Sequence, residues 1–261
     1  MPRPPRPSVP RILLAAAIAF VVVGGCGDDH DTVAPTGELD GTLTVLAAAS
    51  LTDAFVEVAD AFEAANDGVK VELTFDGSSR LAASIIEGVP ADVFASADEV
   101  NLQKVVDEGQ AGTGTVFATN VLQIVVAEGN PLGIAGLADL TGTDVVLSLC
   151  KEDVPCGKYA AQAFAQAGLV IPPAGEENSV KGVLTKVMLG EADAGLVYVT
   201  DVLAAAGVAG VDLSAEERVE AAYPAAVLTD APNADVAAAF VAFLTGSEAQ
   251  AILADYGFGS P

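Results

Sequence analysis

The chain has 261 residues, 52% of them hydrophobic, with 36 acidic against 11 basic side chains and a net charge of −25. Without clustered Lys and Arg there is nothing to neutralise a run of phosphates, which argues against a nucleic-acid partner. An anion site in so acidic a chain must rest on neutral donors, meaning backbone N–H groups, hydroxyls and helix dipoles.

Residues 1–25 read as a signal peptide. Arg3, Arg6 and Arg11 form a basic lead, and Ile12 to Val23 is an apolar run of twelve residues, too short to span a membrane. The segment ends Val23-Gly-Gly-Cys26, which resembles the bacterial lipobox and makes Cys26 the lipid anchor. An ordinary signal peptide with an incidental Cys is the alternative. Residues 26–40 are polar and turn-rich, as suits a tether. The expectation is an extracytoplasmic protein held at the cell membrane by its N-terminal lipid alone.

The first element of the fold is a buried strand at 42–48 that stops at Ser50, where a helix pattern begins at once through Phe55, Val58, Ala59 and Phe62 (helix 51–65). Ser50 reads as the N-cap, with Asp53 completing a capping box. A helix start also presents unpaired N–H groups and the positive end of its dipole to an anion. A strand at 69–75 then runs through Gly77, Ser78 and Ser79 into a helix at 79–87, repeating the junction. Two such junctions suggest one ligand held between two helix starts; the plain alternative is that both serines only cap. Arg80 reads either as an anion contact or as a solvated helix-start residue.

A strand at 92–96 and a helix at 98–108 follow, then strands at 121–127 and 144–149. Cys150 and Cys156 flank a short loop and, in an oxidising compartment, form a disulfide candidate. Free thiols or a metal pair are the alternatives, but no third and fourth ligand lies nearby, so no metal cation is expected. Helices at 157–167 and 179–190, a strand at 194–199, a helix at 200–206, a strand at 224–229 and a long helical pair at 233–256 complete the chain. This alternation predicts an α/β fold with parallel sheets. A domain seam falls near Ala118–Gln123, with a return near Ala222–Leu228 in which Pro224 marks an edge or crossing segment.

The sequence resembles the periplasmic or lipid-anchored molybdate-binding proteins of ABC importers over essentially all of 42–258. The matching stretches are Ala47-Ala-Ala-Ser-Leu-Thr52, Gly77-Ser-Ser79 with Leu81, and Gly88-Val-Pro-Ala-Asp-Val-Phe-Ala-Ser-Ala-Asp98. Further on come Asp153-Val-Pro-Cys-Gly-Lys-Tyr159, Asn178-Ser-Val-Lys-Gly182, Gly195-Leu-Val-Tyr198 with Asp201, and Tyr256-Gly-Phe258. The resemblance implies a type II solute-binding fold: two parallel-sheet lobes, 41–119 plus 226–261 and 120–225, joined by two crossing segments with the ligand cleft between them. It implies ligand contacts through the Ser50 and Ser78 hydroxyls, the Cys156 and Val180 backbone N–H groups, and the Tyr198 hydroxyl. Tyr198 has a half-buried core tyrosine as its alternative role. That family commonly has a small residue such as Ala where this chain has Cys156, a change a backbone contact tolerates. The implied ligand is molybdate or tungstate, with no cofactor, and the implied partner is an ABC transporter permease, the receptor itself acting as a monomer.

Molybdate and tungstate are fully deprotonated dianions at neutral pH and only accept hydrogen bonds, so a shell of pure donors suits them. Protonated phosphate also needs an acceptor, whereas sulfate does not and remains the alternative ligand. An enzyme is the third reading. The only His, His30, precedes the folded region, which removes a Ser-His-Asp triad. Asp92, Asp98 and Asp201 are candidate acids, yet each equally suits a strand end or a helix cap.

Overall fold

The computed structural model describes residues 39–261; the expected signal segment 1–25, the Cys26 anchor and the tether as far as residue 38 lie outside the described residues. Strand β1 (Asp40–Ala48) is buried from Val45 onward because it runs between two parallel neighbours, β2 (Gly68–Asp76) and β3 (Val93–Ala95). Helix α1 (Thr52–Ala65) connects β1 to β2 and buries Phe55, Val58 and Phe62, an i, i+3, i+7 stripe; α2 (Ser78–Ile86) connects β2 to β3 and buries Leu81, Ala82 and Ile85. Helix α3 (Glu99–Asp107) then leads to a long strand, β4 (Thr115–Ala127).

β4 changes partners along its length. Residues 115–121 pair antiparallel with β9 (Glu220–Val227), and residues 122–127 pair antiparallel with β7 (Ala194–Tyr198) and β8 (Val208–Asp212). Beyond β7 lie β5 (Leu147–Cys150) and β6 (Gly175–Glu177), with β5 parallel to both. The order is therefore β2-β1-β3-β9-β4-β7-β5-β6, with β8 on β4. Helices α4 (Pro155–Gln166), α5 (Val180–Met188) and α6 (Val199–Leu203) belong to the second group of strands.

The expected parallel pairing is found within each group, β2-β1-β3 and β7-β5-β6. The crossing strands correct it: β4 and β9 are antiparallel to each other, because one carries the chain out of the first group and the other brings it back. β4 switches partner between Val121 and Leu122, inside the expected seam, but begins at Thr115 rather than 121. Pro224 lies within β9 opposite the register shift between Val116 and Ala118, an irregularity that accommodates a residue with no N–H to donate. β6 and β8 were not expected; both are short and hold Gly, so neither shows a strand-like apolar run.

After β9 the chain returns to the first group as α7 (Ala234–Leu244) and α8 (Ser247–Asp255), which break at Thr245-Gly246 with a 60° bend. Asp92 secures this return. Its two carboxylate oxygens accept the N–H groups of Thr44 and Asn233, so its role is a clasp between β1 and the start of α7. Phe240 of α7 meets Phe55 and Phe62 edge-on, and the aromatic cluster continues through Phe117 to Tyr223 and Tyr198.

Candidate functional site

Four element starts converge on one small cleft. Its walls are Ala48, Ala49 and Ser50 after β1, Gly77 and Ser78 at the start of α2, Val154, Pro155 and Cys156 at the start of α4, Val180 at the start of α5, Tyr198 at the end of β7, and Ala97. All five residues expected at the site, Ser50, Ser78, Cys156, Val180 and Tyr198, are thus brought together. The cleft leaves about 10 Å³ of solvent-reachable space, near the least that admits one water. A roomier groove of about 640 Å³ lies on the other flank of the Cys150–Cys156 loop. Its walls are Phe164, Leu169, Val170 and Ile171 with the carboxylates of Glu152 and Glu176, so it repels anions rather than attracting them.

Backbone donors come from the helix starts. In α4 the first i to i−4 bond is Lys158 N–H to the Val154 carbonyl, so the N–H of Cys156 lies ahead of it; in α5 Val180 likewise precedes the first bonded N–H, that of Gly182. Pro155 at the first position of α4 spends no donor there. Cys150 and Cys156 are joined by a disulfide with their Cα atoms 5.7 Å apart, which ties the start of α4 to the end of β5. Gly157 is required by that tie, since a β-carbon there would collide with the Cys150 and Lys151 carbonyls.

The hydroxyls have a definite polarity. Ser78 Oγ accepts the Ala97 N–H at 3.0 Å, which leaves its own proton for the cleft. Tyr198 is 1% exposed and its hydroxyl has no hydrogen-bond partner among the described residues, although buried hydroxyls ordinarily find one. Burial, reinforced by the neighbouring Tyr223, pushes its ionisation well above the ordinary tyrosine range, so it stays a donor.

Ser50 departs from expectation. It sits in a 3-10 turn, Ala49–Leu51, that precedes α1, so the N-cap position passes to Leu51 and no side chain caps the helix. Ser50 Oγ instead lies 2.9 Å from the Tyr223 hydroxyl, and Asp53 pairs with Lys181 rather than closing a capping box. Arg80 does not enter the cleft; its guanidinium is exposed and pairs with Asp76 at 3.0 Å.

Among the described residues no charged side chain lines the cleft. Lys181 and Lys158 each make an ion pair that crosses between the two groups of strands. Lys181 Nζ lies 2.7 Å from Asp53 and 3.3 Å from the buried Asp201, and Lys158 Nζ lies 3.2 Å from the buried Asp98. Burial lowers the Lys181 pKa, but Asp201 and Asp53 outweigh it and hold the ammonium charged. Burial raises Asp201 to about 6, the Lys181 charge opposing it. Asp98 and Asp201 otherwise serve helix starts: Asp98 accepts the Asn101 N–H at α3, and Asp201 accepts the Tyr198 N–H at α6. Their structural roles answer the enzyme reading of these acids.

Sequence reasoning missed Asn120, Thr200, Lys181 and Tyr223. Asn120 was the most detectable, being a polar residue inside the apolar stretch Phe117 to Val126.

An α/β fold with a donor-lined cleft between two strand groups has the architecture of a solute-binding protein. Residues 43–259 match the family described as bacterial extracellular solute-binding protein, and the chain belongs to that family. It is 40% identical over 252 residues to the molybdate-binding protein ModA of Mycobacterium tuberculosis H37Rv, which covers 95% of this chain and 97% of the relative. The fold matches the periplasmic molybdate-binding protein of Azotobacter vinelandii with a TM-score of 0.72 at 23% identity, over 84% of this chain and 99% of that one. It also matches the sulfate-binding protein SubI of M. tuberculosis H37Rv with a TM-score of 0.74 at 21% identity, over 83% and 86% of the two chains. At those identities the likeness is one of fold, the type II solute-binding fold. The chain is a binding protein and not an enzyme.

Proposed function

We propose that this protein is the receptor of an ABC importer for molybdate, and for tungstate, held between the two strand groups and passed to a membrane permease. The observation that carries the reading is the buried, unpartnered Tyr198 hydroxyl facing a cleft that contains donors and no charged side chain. Such a shell satisfies a fully deprotonated oxyanion and leaves the proton of a protonated one without an acceptor. The 40% identity to a protein named for molybdate binding supports the same ligand. Ser50 and Ser78 give their hydroxyl protons, Cys156 and Val180 their backbone N–H groups, and Tyr198 its phenol.

In this reading residues 41–119 with 226–261 form one lobe and 120–225 the other. β4 and β9, side by side and antiparallel, are the two strands about which the lobes open and close, and the closed monomer docks on the permease. The Lys181–Asp53 and Lys158–Asp98 pairs then fasten the closed form on either side of the ligand. Cys26 carries the lipid, so Cys26→Ala releases the protein from the membrane.

A thermal-shift titration of the full chain tests the ligand. Molybdate and tungstate at one hundred times their dissociation constant stabilise the fold by about 2.7 kcal/mol. Sulfate is the second reading, favoured by the likeness of fold to a sulfate-binding protein and by its equal lack of protons. A shift with sulfate and none with molybdate replaces the ligand; no shift with either removes the oxyanion reading.

A further inference from the structure

Ser50 can serve an anion only if its proton points into the cleft, and the structure fixes that direction from behind. Its Oγ and the Tyr223 hydroxyl are 2.9 Å apart, and both are buried. Which of them donates is decided by Asn120. The Asn120 Oδ1 accepts the Val121 N–H at 2.9 Å, so the Nδ2 end faces Thr200 Oγ1 at 2.9 Å and the Tyr223 oxygen at 3.5 Å. An amide NH₂ has only protons to offer. The Tyr223 oxygen receives from Asn120, and among the described residues Ser50 Oγ is its only other hydrogen-bond neighbour; the buried Tyr223 proton is satisfied only by going to Ser50 Oγ, which leaves the Ser50 proton for the cleft.

We infer that Asn120 and Tyr223 are positioning residues that hold the Ser50 hydroxyl as a donor and so set the preference of the site for unprotonated over protonated oxyanions. This rests on the oxyanion reading above and deepens it. Released from Tyr223, the Ser50 hydroxyl turns freely and can accept a proton from a ligand such as hydrogen phosphate; held by Tyr223, it gives its own. Ser78 is held in the same sense by the Ala97 N–H, so the two serines of the cleft present matched polarity. Both positioning residues stand on the crossing strands, Asn120 on β4 and Tyr223 on β9, close to each other in the ladder that joins the halves.

Sulfate and hydrogen phosphate are tetrahedral dianions of similar size that differ by one proton. The concentrations of each that displace molybdate from the full-length protein, at mildly alkaline pH, therefore separate donor polarity from cavity size. In the wild type, phosphate is expected to compete at least about tenfold less well than sulfate. In Tyr223→Phe, which keeps the ring, molybdate affinity falls about tenfold and the sulfate-to-phosphate ratio shrinks toward one. Adding Tyr223→Phe to Ser50→Ala costs less than about twofold, because the relay acts through Ser50. Should Tyr223→Phe fail to fold, Asn120→Asp supplies the test. A carboxylate accepts from Tyr223, reverses the relay and shrinks the same ratio, whereas its added charge alone weakens both dianions alike. An unchanged ratio in the variants of a protein that binds molybdate, or independent costs of the Tyr223 and Ser50 changes, overturns the relay. Failure of the wild type to bind molybdate overturns the molybdate reading instead.

Discussion

Replacing Tyr198 by Phe separates a ligand donor from a core tyrosine, because the two roles predict opposite signs. The ring is fully buried against Tyr223, with centroids 5.9 Å apart, and Phe preserves that packing. The hydroxyl bonds to nothing among the described residues, so its removal deletes a buried donor without a protein partner there. The ligand-free variant is therefore as stable as the wild type or more so, by up to about 1 kcal/mol, which is roughly 2–4 °C for a domain of this size. Bound anion loses a hydrogen bond to a charged group, about 1.5–3 kcal/mol, or roughly 10- to 150-fold in affinity. At a molybdate concentration one hundred times the wild-type dissociation constant, the stabilisation by ligand drops from about 2.7 kcal/mol to between about 1.4 and 0.3 kcal/mol. Differential scanning calorimetry with and without molybdate reads both quantities on one sample. A variant that loses stability when empty and keeps its ligand shift would place Tyr198 in the core and refute the donor assignment.

Gly77 meets the Asn178 carbonyl across the cleft so closely that a β-carbon would collide with it. Gly77→Ala is expected to hold the halves apart and weaken molybdate binding by about 1–3 kcal/mol of overpacking, measured by calorimetric titration; unchanged affinity would mean that this contact is not part of closure. Asp201 titrates near 6 when folded against an ordinary 3.8, so the folded protein holds a proton the unfolded chain has released. Its contribution to stability is greatest below about pH 4, falls as the pH rises to about 6 and is flat above that. Urea unfolding of wild type and Asp201→Asn across that window should differ in slope by a total of roughly 3 kcal/mol, and parallel curves would contradict the assignment. Replacing both Cys150 and Cys156 by Ser removes a short ring worth about 2 kcal/mol of stability and loosens the start of α4, so molybdate affinity falls as well. Lost stability with intact affinity would confine the disulfide to a structural role.

The five expected residues of the cleft were legible through the family resemblance, and local pattern supported it because each stands at or beside a strand-to-helix junction. Cys156 and Val180 lie in first helical turns and Tyr198 closes a buried strand, all within a residue or two of expectation. Ser50 was placed correctly and given the wrong neighbour. A 3-10 turn ahead of α1 shifts the helix start by one residue, and nothing in the apolar periodicity distinguishes that turn from the helix it leads into. The partners that orient Ser50 were illegible for a different reason. Tyr223 lies 173 positions away in the chain, and Asn120 and Tyr223 meet only because β4 and β9 cross side by side. Such a pairing is a property of topology, and one sequence carries no register between distant strands. The ion pairs of Lys181 and Lys158 are hidden in the same way, each joining a helix of one half to an acid of the other.

The most direct measurement is a crystal structure of the protein grown with molybdate, with anomalous diffraction recorded at the molybdenum edge. A single tetrahedral molybdenum peak within hydrogen-bond reach of the Ser50, Ser78 and Tyr198 hydroxyls and of the Cys156 and Val180 N–H groups is the expected result. A peak outside that cleft, or a cleft that stays empty of molybdenum at saturating molybdate, would contradict it.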